Sequence, residues 1–298
     1  MSAIPSVIVA GYGQMGHVME HLLRDRAALY LWPIAPNALA PPAEILAAAG
    51  SAAYLLVCVP THAHLAVLEP VASRLPSGAA LLSIAKGLDA AGACAAEILA
   101  AYAGARPWGV LGGPMIANEI LAGRIAFAEL GTADTALFRR VHELYPASRL
   151  LLRHAANPRA VSWCGVLKNV YAPLIGISDE LGWGDNARGH LVMGALREMR
   201  ALLAEFAGAN TDVYGDAGLA DFVTTVTSAS SHHHALGRRL ARGNFDELEC
   251  EGMHSLRALQ RRGYRPNNHP LYAAMTRAVS DPGSVVAAVH DWLRSPPP

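Results

Sequence analysis

Apolar positions follow two different rhythms in the two halves of the chain. In the first half, short unbroken apolar runs alternate with helical stretches. Ser6–Ala10 reads as a buried strand, followed by a glycine turn and a helix over Gly16–Arg24. Further strands fit Leu29–Trp32, Tyr54–Val59, Ala80–Ile84 and Trp108–Leu111, with a Pro-rich connector and a short helix near Ala43–Ala49 after the second. Continuous Val/Ile/Leu runs alternating with helices predict a parallel sheet covered on both faces. Beyond about residue 155 the strand signals stop and helical periods take over, notably over Ala187–Ala207 and Phe245–Arg262. The pattern predicts an α/β, Rossmann-type doubly wound domain over 1–155 and an all-α domain over 156–298, with a cleft between them.

Composition sharpens this reading. The 298 residues carry no formal net charge and are 52% hydrophobic. That is ample for a real core, and it argues against partners such as nucleic acid or an anionic membrane, which need a basic face. No apolar run reaches membrane-spanning length without a charge, Pro or Gly breaking it. The four cysteines show neither metal-ligand nor disulfide spacing, so the expected compartment is the reducing cytoplasm. Of the 24 basic residues only Lys86 and Lys168 are lysines. Arginine holds its proton permanently, whereas lysine can release one, so these two positions stand out.

Three segments carry candidate chemistry. Gly11-Tyr-Gly13-Gln14-Met15-Gly16 follows a strand and opens a helix, the setting in which glycines admit a pyrophosphate to a helix N-terminus. The second strand runs into Pro33, Ile34 and Ala35, offering neither a carboxylate for a ribose 2′-OH nor an Arg for a 2′-phosphate, so NAD and NADP stay equally open. Lys86 ends a strand, at the sheet edge where such folds bind ligands. Lys168 lies among Trp163, Val166, Leu167 and Val170 on a helical stretch, where an ammonium needs a partner or a task. It is a candidate proton donor to a carbonyl oxygen.

Consecutive His232-His233-His234, even with His62 and His64, do not compose a metal site, and no metal is expected. His62 and His64 read as polar lining of the cleft, Cys58 and Cys164 as packing thiols. The stripe Leu191, Ala195, Met199 and Leu202 reads as core or subunit interface.

The chain resembles the NAD(P)-dependent glycerol-3-phosphate dehydrogenases over nearly its whole length. The resemblance rests on the glycine fingerprint, Val59-Pro60, Ala85-Lys86-Gly87, Gly113-Pro114-Met115-Ile116-Ala117-Asn118-Glu119, Leu167-Lys168-Asn169, Gly184–Arg188, Gly218–Thr225 and Glu251-Gly252. It implies that Lys168 is the catalytic proton donor and acceptor, with Lys86 and Asp221 beside it. It further implies substrate contacts from Asn169, Gly113, Met115, Thr225, Ser231, His232 and His233. NAD or NADP would meet Gly11, Gly13, Gln14, Met15, Gly16, Pro60, Lys86, Ala117 and Glu251, and the enzyme would be a homodimer acting on a small molecule. Two departures stand against the family pattern. Ser231-His232-His233 occupies the place of Ser-Arg-Asn, exchanging a permanent charge for imidazoles, and Met115 replaces a hydroxyl residue. Two other readings remain open: a nucleotide-binding regulator with reduced catalysis, and a β-hydroxyacid dehydrogenase. The latter family separates its catalytic Lys and Asn by several residues, whereas Lys168 and Asn169 adjoin.

Overall fold

The computed structural model describes residues 4–35, 39–145, 149–209, 211–228, 231–246, 248–265 and 268–295. The chain divides into two compact units, Met1–Lys86 with Ala93–Ser162, and Gly87–Gly92 with Trp163–Pro298. The division therefore falls inside a helix rather than at residue 155, and six residues after Lys86 belong to the second unit.

The first unit contains β1 (Ser6–Ala10), α1 (Gln14–Leu23), β2 (Ala28–Trp32), α2 (Ala43–Ala49), β3 (Tyr54–Val57), α3 (His64–Val71), β4 (Ala80–Ser83), α4 (Ala95–Ala103) and β5 (Trp108–Gly112). It continues with α5 (Ala117–Leu121), β6 (Ala126–Gly131), α6 (Thr135–Leu144) and β7 (Leu150–Ala155). The seven strands lie in the order β2-β1-β3-β4-β5-β6-β7. β1 and β3–β4 are buried along both faces, as their unbroken apolar runs require. One core cluster packs Val9, Leu56, Leu82 and Leu111 of the sheet against Val18, Met19, Leu137 and Val141 of the helices.

The expectation of a wholly parallel sheet is corrected at one edge. β6 runs antiparallel to β5, through Val110↔Gly131 and Gly112↔Glu129, and β7 then pairs parallel to β6. Neither strand is a continuous branched-aliphatic run: β6 reads Ala-Phe-Ala-Glu-Leu-Gly and alternates buried with outward positions over its first half. Strands with one face uncovered need only every second residue to be apolar. Several boundaries also move. β3 stops at Val57, and α1 opens at Gln14, two residues before the expected start.

The second unit is helical among its described residues: α7 (Pro158–Glu180, whose first turn and a half lies in the first unit), α8 (Asp185–Ala207), α9 (Asp221–Thr227), α10 (His232–Ala241), α11 (Glu251–Arg261), α12 (Pro270–Ser280) and α13 (Val285–Arg294). α11 starts six residues later than the apolar period suggests, after an extended Cys250. α7 is long and apolar enough to cross a membrane by composition, yet its apolar window is wholly buried within the protein. Leu191, Ala195, Met199 and Leu202 of α8 are fully buried, which resolves that stripe as core. Trp163 stacks on Phe206 with ring centroids 4.0 Å apart. Glu198 ties in α12: its carboxylate accepts from the N–H groups of Leu271 and Tyr272 and from the Tyr171 hydroxyl, each at 2.8 Å. Two glycines let α7 and α10 cross closely, because a Cβ on Gly237 would run into the Pro173 carbonyl and one on Gly176 into that of His234.

Candidate active site

The glycine turn fits a dinucleotide on its own geometry. Gly11 has φ +98°, and a Cβ there would come within 2.7 Å of Val59 and 2.9 Å of the Cys58 backbone. Gly13, by contrast, faces open space, which leaves its backbone approachable. Gly16 is pressed against the Gly11 carbonyl, locking helix to turn. Gly13 caps α1 with no side chain satisfying the first N–H groups, so those donors point to an anion. Gln14 is exposed and Met15 half-buried against the core cluster. Tyr12 donates to Glu20 and packs its ring 3.9 Å from His17, bracing the turn from outside.

Around Lys86 the first unit is held by backbone. The Lys86 ammonium donates to the Gly113 carbonyl at 3.0 Å. Gly113 has φ +146°, and a Cβ there would lie 2.6 Å from the Phe127 carbonyl, so β6 admits no side chain at that point. Met115 and Ala117 are buried in the core cluster. Pro60 is exposed at the end of the β3 turn. His64, expected as lining, is instead fully buried: its Nδ1 donates to the Pro60 carbonyl and its Nε2 meets the Ser83 hydroxyl at 2.9 Å. Its task is structural. His62 is exposed.

In the second unit Lys168 is buried, with 6% exposure, and so is Asp221, with 3%. The Lys168 ammonium donates to Asp221 Oδ1 at 2.9 Å and to Thr225 Oγ1 at 2.6 Å, while Thr225 donates back to the Asp221 carbonyl at 2.7 Å. A π-helical turn over Asp216–Ala220 leads into α9 and sets Asp221 and Thr225 on one face, four residues apart. Removing either charged partner would strand the other in a dry site.

Asn169, next in the chain, is buried, and its Oδ1 has no hydrogen-bond partner among the described residues. Pro173 lacks the N–H that would bond the Asn169 backbone carbonyl, and Gly252 of α11 closes on that carbonyl so tightly that a Cβ would collide with it. The neighbouring Glu251 has one carboxylate oxygen buried without a partner, and a Cβ on Gly87 would strike that same oxygen. Burial pushes the Glu251 carboxyl up to about 7. Ser255, one turn further along α11, is fully buried with an unpartnered hydroxyl near Gly87. Sequence reasoning missed Ser255; its spacing of four from Glu251 was the available signal.

Ser231 caps α10, accepting the His234 N–H at 3.3 Å. His232 is exposed and His233 half-buried, whereas His234 is buried against Asp179 at 2.8 Å, a carboxylate that Arg188 also grips at 2.7 Å. Burial pushes Asp179 up, but Arg188 and His234 outweigh it and hold the carboxyl below its ordinary range. Among the described residues no three His, Cys, Asp or Glu side chains gather as a metal site.

A glycine turn whose geometry fits a dinucleotide, on a doubly wound sheet, followed by a helical unit with a buried lysine–carboxylate pair, is an arrangement found among Rossmann-type oxidoreductases. Residues 9–137 match the N-terminal family of NAD-dependent glycerol-3-phosphate dehydrogenase, and residues 157–289 its C-terminal family. A glycerol-3-phosphate dehydrogenase [NAD(P)+] of Gloeobacter violaceus is 35% identical over 211 residues, 70% of this chain and 68% of that protein. One from Sphingopyxis alaskensis is 30% identical over 219 residues, 73% of this chain and 66% of its own length, just under two thirds. The crystal structure of glycerol-3-phosphate dehydrogenase from Coxiella burnetii shares the fold with a TM-score of 0.84 at 22% identity, covering 98% of this chain and 99% of that one. The chain belongs to the NAD-dependent glycerol-3-phosphate dehydrogenase family, whose members use NAD(P) and act on a CH–OH group.

Proposed function

We propose that the protein interconverts a small secondary alcohol and its ketone with NAD or NADP, and that Lys168 is the acid and base of that reaction. The observation that carries this reading is the buried Lys168–Asp221–Thr225 cluster: an ammonium taken out of water and aimed by two fixed acceptors. Bound nicotinamide supplies or accepts the hydride. Lys168 Nζ gives a proton to the substrate oxygen when the carbonyl is reduced and takes it back when the alcohol is oxidised. Asp221 holds the ammonium in place and balances its charge. Asn169 offers its unpartnered amide oxygen to a substrate hydroxyl. Gly11, Gly13 and the first N–H groups of α1 would hold the pyrophosphate, and Glu251 and Pro60 would meet other parts of the nucleotide. Lys86 and the Gly113 backbone would orient the substrate, with Met115 and Ala117 backing them.

The substrate's anionic end is where this chain departs from its family. Ser231, His232 and His233 supply a hydroxyl and two imidazoles in place of a guanidinium fork, so this segment would grip a phosphorylated substrate without a permanent bidentate charge. We read this as a change in the substrate or in how it is gripped. Steady-state assays with glycerol 3-phosphate and dihydroxyacetone phosphate test it. Weak turnover of both, with better turnover of another small alcohol or ketone, is the expected result; ordinary efficiency on both overturns the changed-substrate reading. A cytoplasmic homodimer completes the proposal, which sizing chromatography coupled to light scattering would check.

A further inference from the structure

Away from these residues, the first unit contains a recess of about 470 Å³. Its walls come from the end of α1, the turn after α5 and the segment entering β7. Three guanidinium groups line it, those of Arg24, Arg26 and Arg149, together with the His21 imidazole and a single carboxylate, Asp25. Leu22, Ile120 and Leu144 supply an apolar floor.

What marks the arginines here is that three of them line one recess and none holds a carboxylate among the described residues. Arg124, Arg159, Arg188, Arg242 and Arg257 each hold a carboxylate. Among the described residues, the side chains of Arg26 and Arg149 have no hydrogen-bond or ion-pair partner, and Arg24 meets only the His21 ring, at 3.3 Å. The end of α1 accounts for part of this, because cations near a helix C-terminus complement its dipole. It does not account for Arg149, which reaches the same recess from another element and lies beside Gly123, a position with φ +79°. Excess positive charge over an apolar floor, in a volume suited to a small molecule, matches a compact dianion carrying a carbon skeleton.

We propose that this recess is a binding site for a small phosphomonoester, separate from the Lys168 cluster. The arginines take the phosphate oxygens, and Leu22, Ile120 and Leu144 cover the carbon portion. Asp25 sets a limit on the charge, favouring one phosphate over an extended polyanion. The inference stands independently of the proposed reaction.

Calorimetric titration of the NADH-loaded protein with inorganic phosphate and with phenyl phosphate tests it. The expected result is one equivalent of phenyl phosphate bound more tightly than phosphate alone. Arg26→Gln and Arg149→Gln should each weaken it about tenfold, and the double variant should abolish it. Arg149→Lys should retain part of the affinity, and Lys168→Ala should leave it unchanged. Wild-type melting temperatures for the variants confirm that the fold survives. Phenyl phosphate binding that persists in the double variant, or that Lys168→Ala removes, overturns the proposal. So does capture of the protein by vesicles of phosphatidylglycerol and phosphatidylcholine, lost in the double variant, without any binding of phenyl phosphate.

Discussion

The two lysines occupy opposite physical situations. Lys86 is half-buried and reaches a backbone carbonyl, that of Gly113, so its attachment in the first unit depends on main-chain geometry. Lys168 is buried in the second unit against a carboxylate and a hydroxyl, so its attachment depends on side chains. The difference teaches where each site is fragile. A site fixed by backbone tolerates side-chain changes and fails when a glycine gains a Cβ. A site fixed by a buried ion pair tolerates little at the pair itself, because removing one partner leaves the other charged and unsolvated.

That contrast can be broken or sharpened by four substitutions. Asp221→Ala should be the most severe, costing about 3–5 kcal/mol of stability by stranding the Lys168 ammonium. Denaturant melts of the second unit's tryptophan signal would show it, and a loss under 1 kcal/mol would mean that the pair is solvated. Next, Gly16→Ala should drive α1 off the Gly11 carbonyl, costing about 1–3 kcal/mol together with cofactor affinity. NADH fluorescence titration against the wild type would measure the second effect, and unchanged binding would show that the turn is not the pyrophosphate site.

Glu251 gives a third, smaller effect with a definite sign. Its folded value, about 7, lies above the ordinary 4.5, so the folded state holds more protons in between. The stability it contributes is present below pH 4.5 and is lost as pH rises through 7. Melting temperature followed across that window should fall less steeply in Glu251→Gln than in the wild type; identical slopes would locate the titrating group elsewhere. Smallest is His234→Ala, which removes one contact from an Asp179 that Arg188 still holds. About 1 kcal/mol is expected, and a loss above 3 kcal/mol would make His234 part of a larger buried network.

Much of this arrangement was legible in the sequence. The strands that form the middle of the sheet announce themselves because burial on both faces demands unbroken apolar runs. β6 and β7 lie toward one end of the sheet: β6 alternates Ala, Phe, Ala and Glu, and the short Leu150–Leu152 run of β7 breaks at Arg153 and His154, so neither gives a run of the same length. The glycine turn is readable because backbone approach leaves a residue type as its trace. The company of Lys168 was only half readable from residue types: nothing local places Asp221, 53 residues away, on its ammonium, and the family resemblance supplied that link. His64 misled for a similar reason, since a histidine after a strand looks the same whether it faces a ligand or the Ser83 hydroxyl. The unpartnered Ser255 hydroxyl emerges only once α11 has docked near Gly87.

The central claim is that Lys168 moves the proton. The most direct test is turnover and NADH binding of Lys168→Ala, measured on the best substrate found for the wild type. The account predicts a fall in kcat of about 10²–10⁴-fold, with NADH affinity within about threefold of the wild type. Turnover close to wild type, or a parallel loss of turnover and NADH binding, would contradict it.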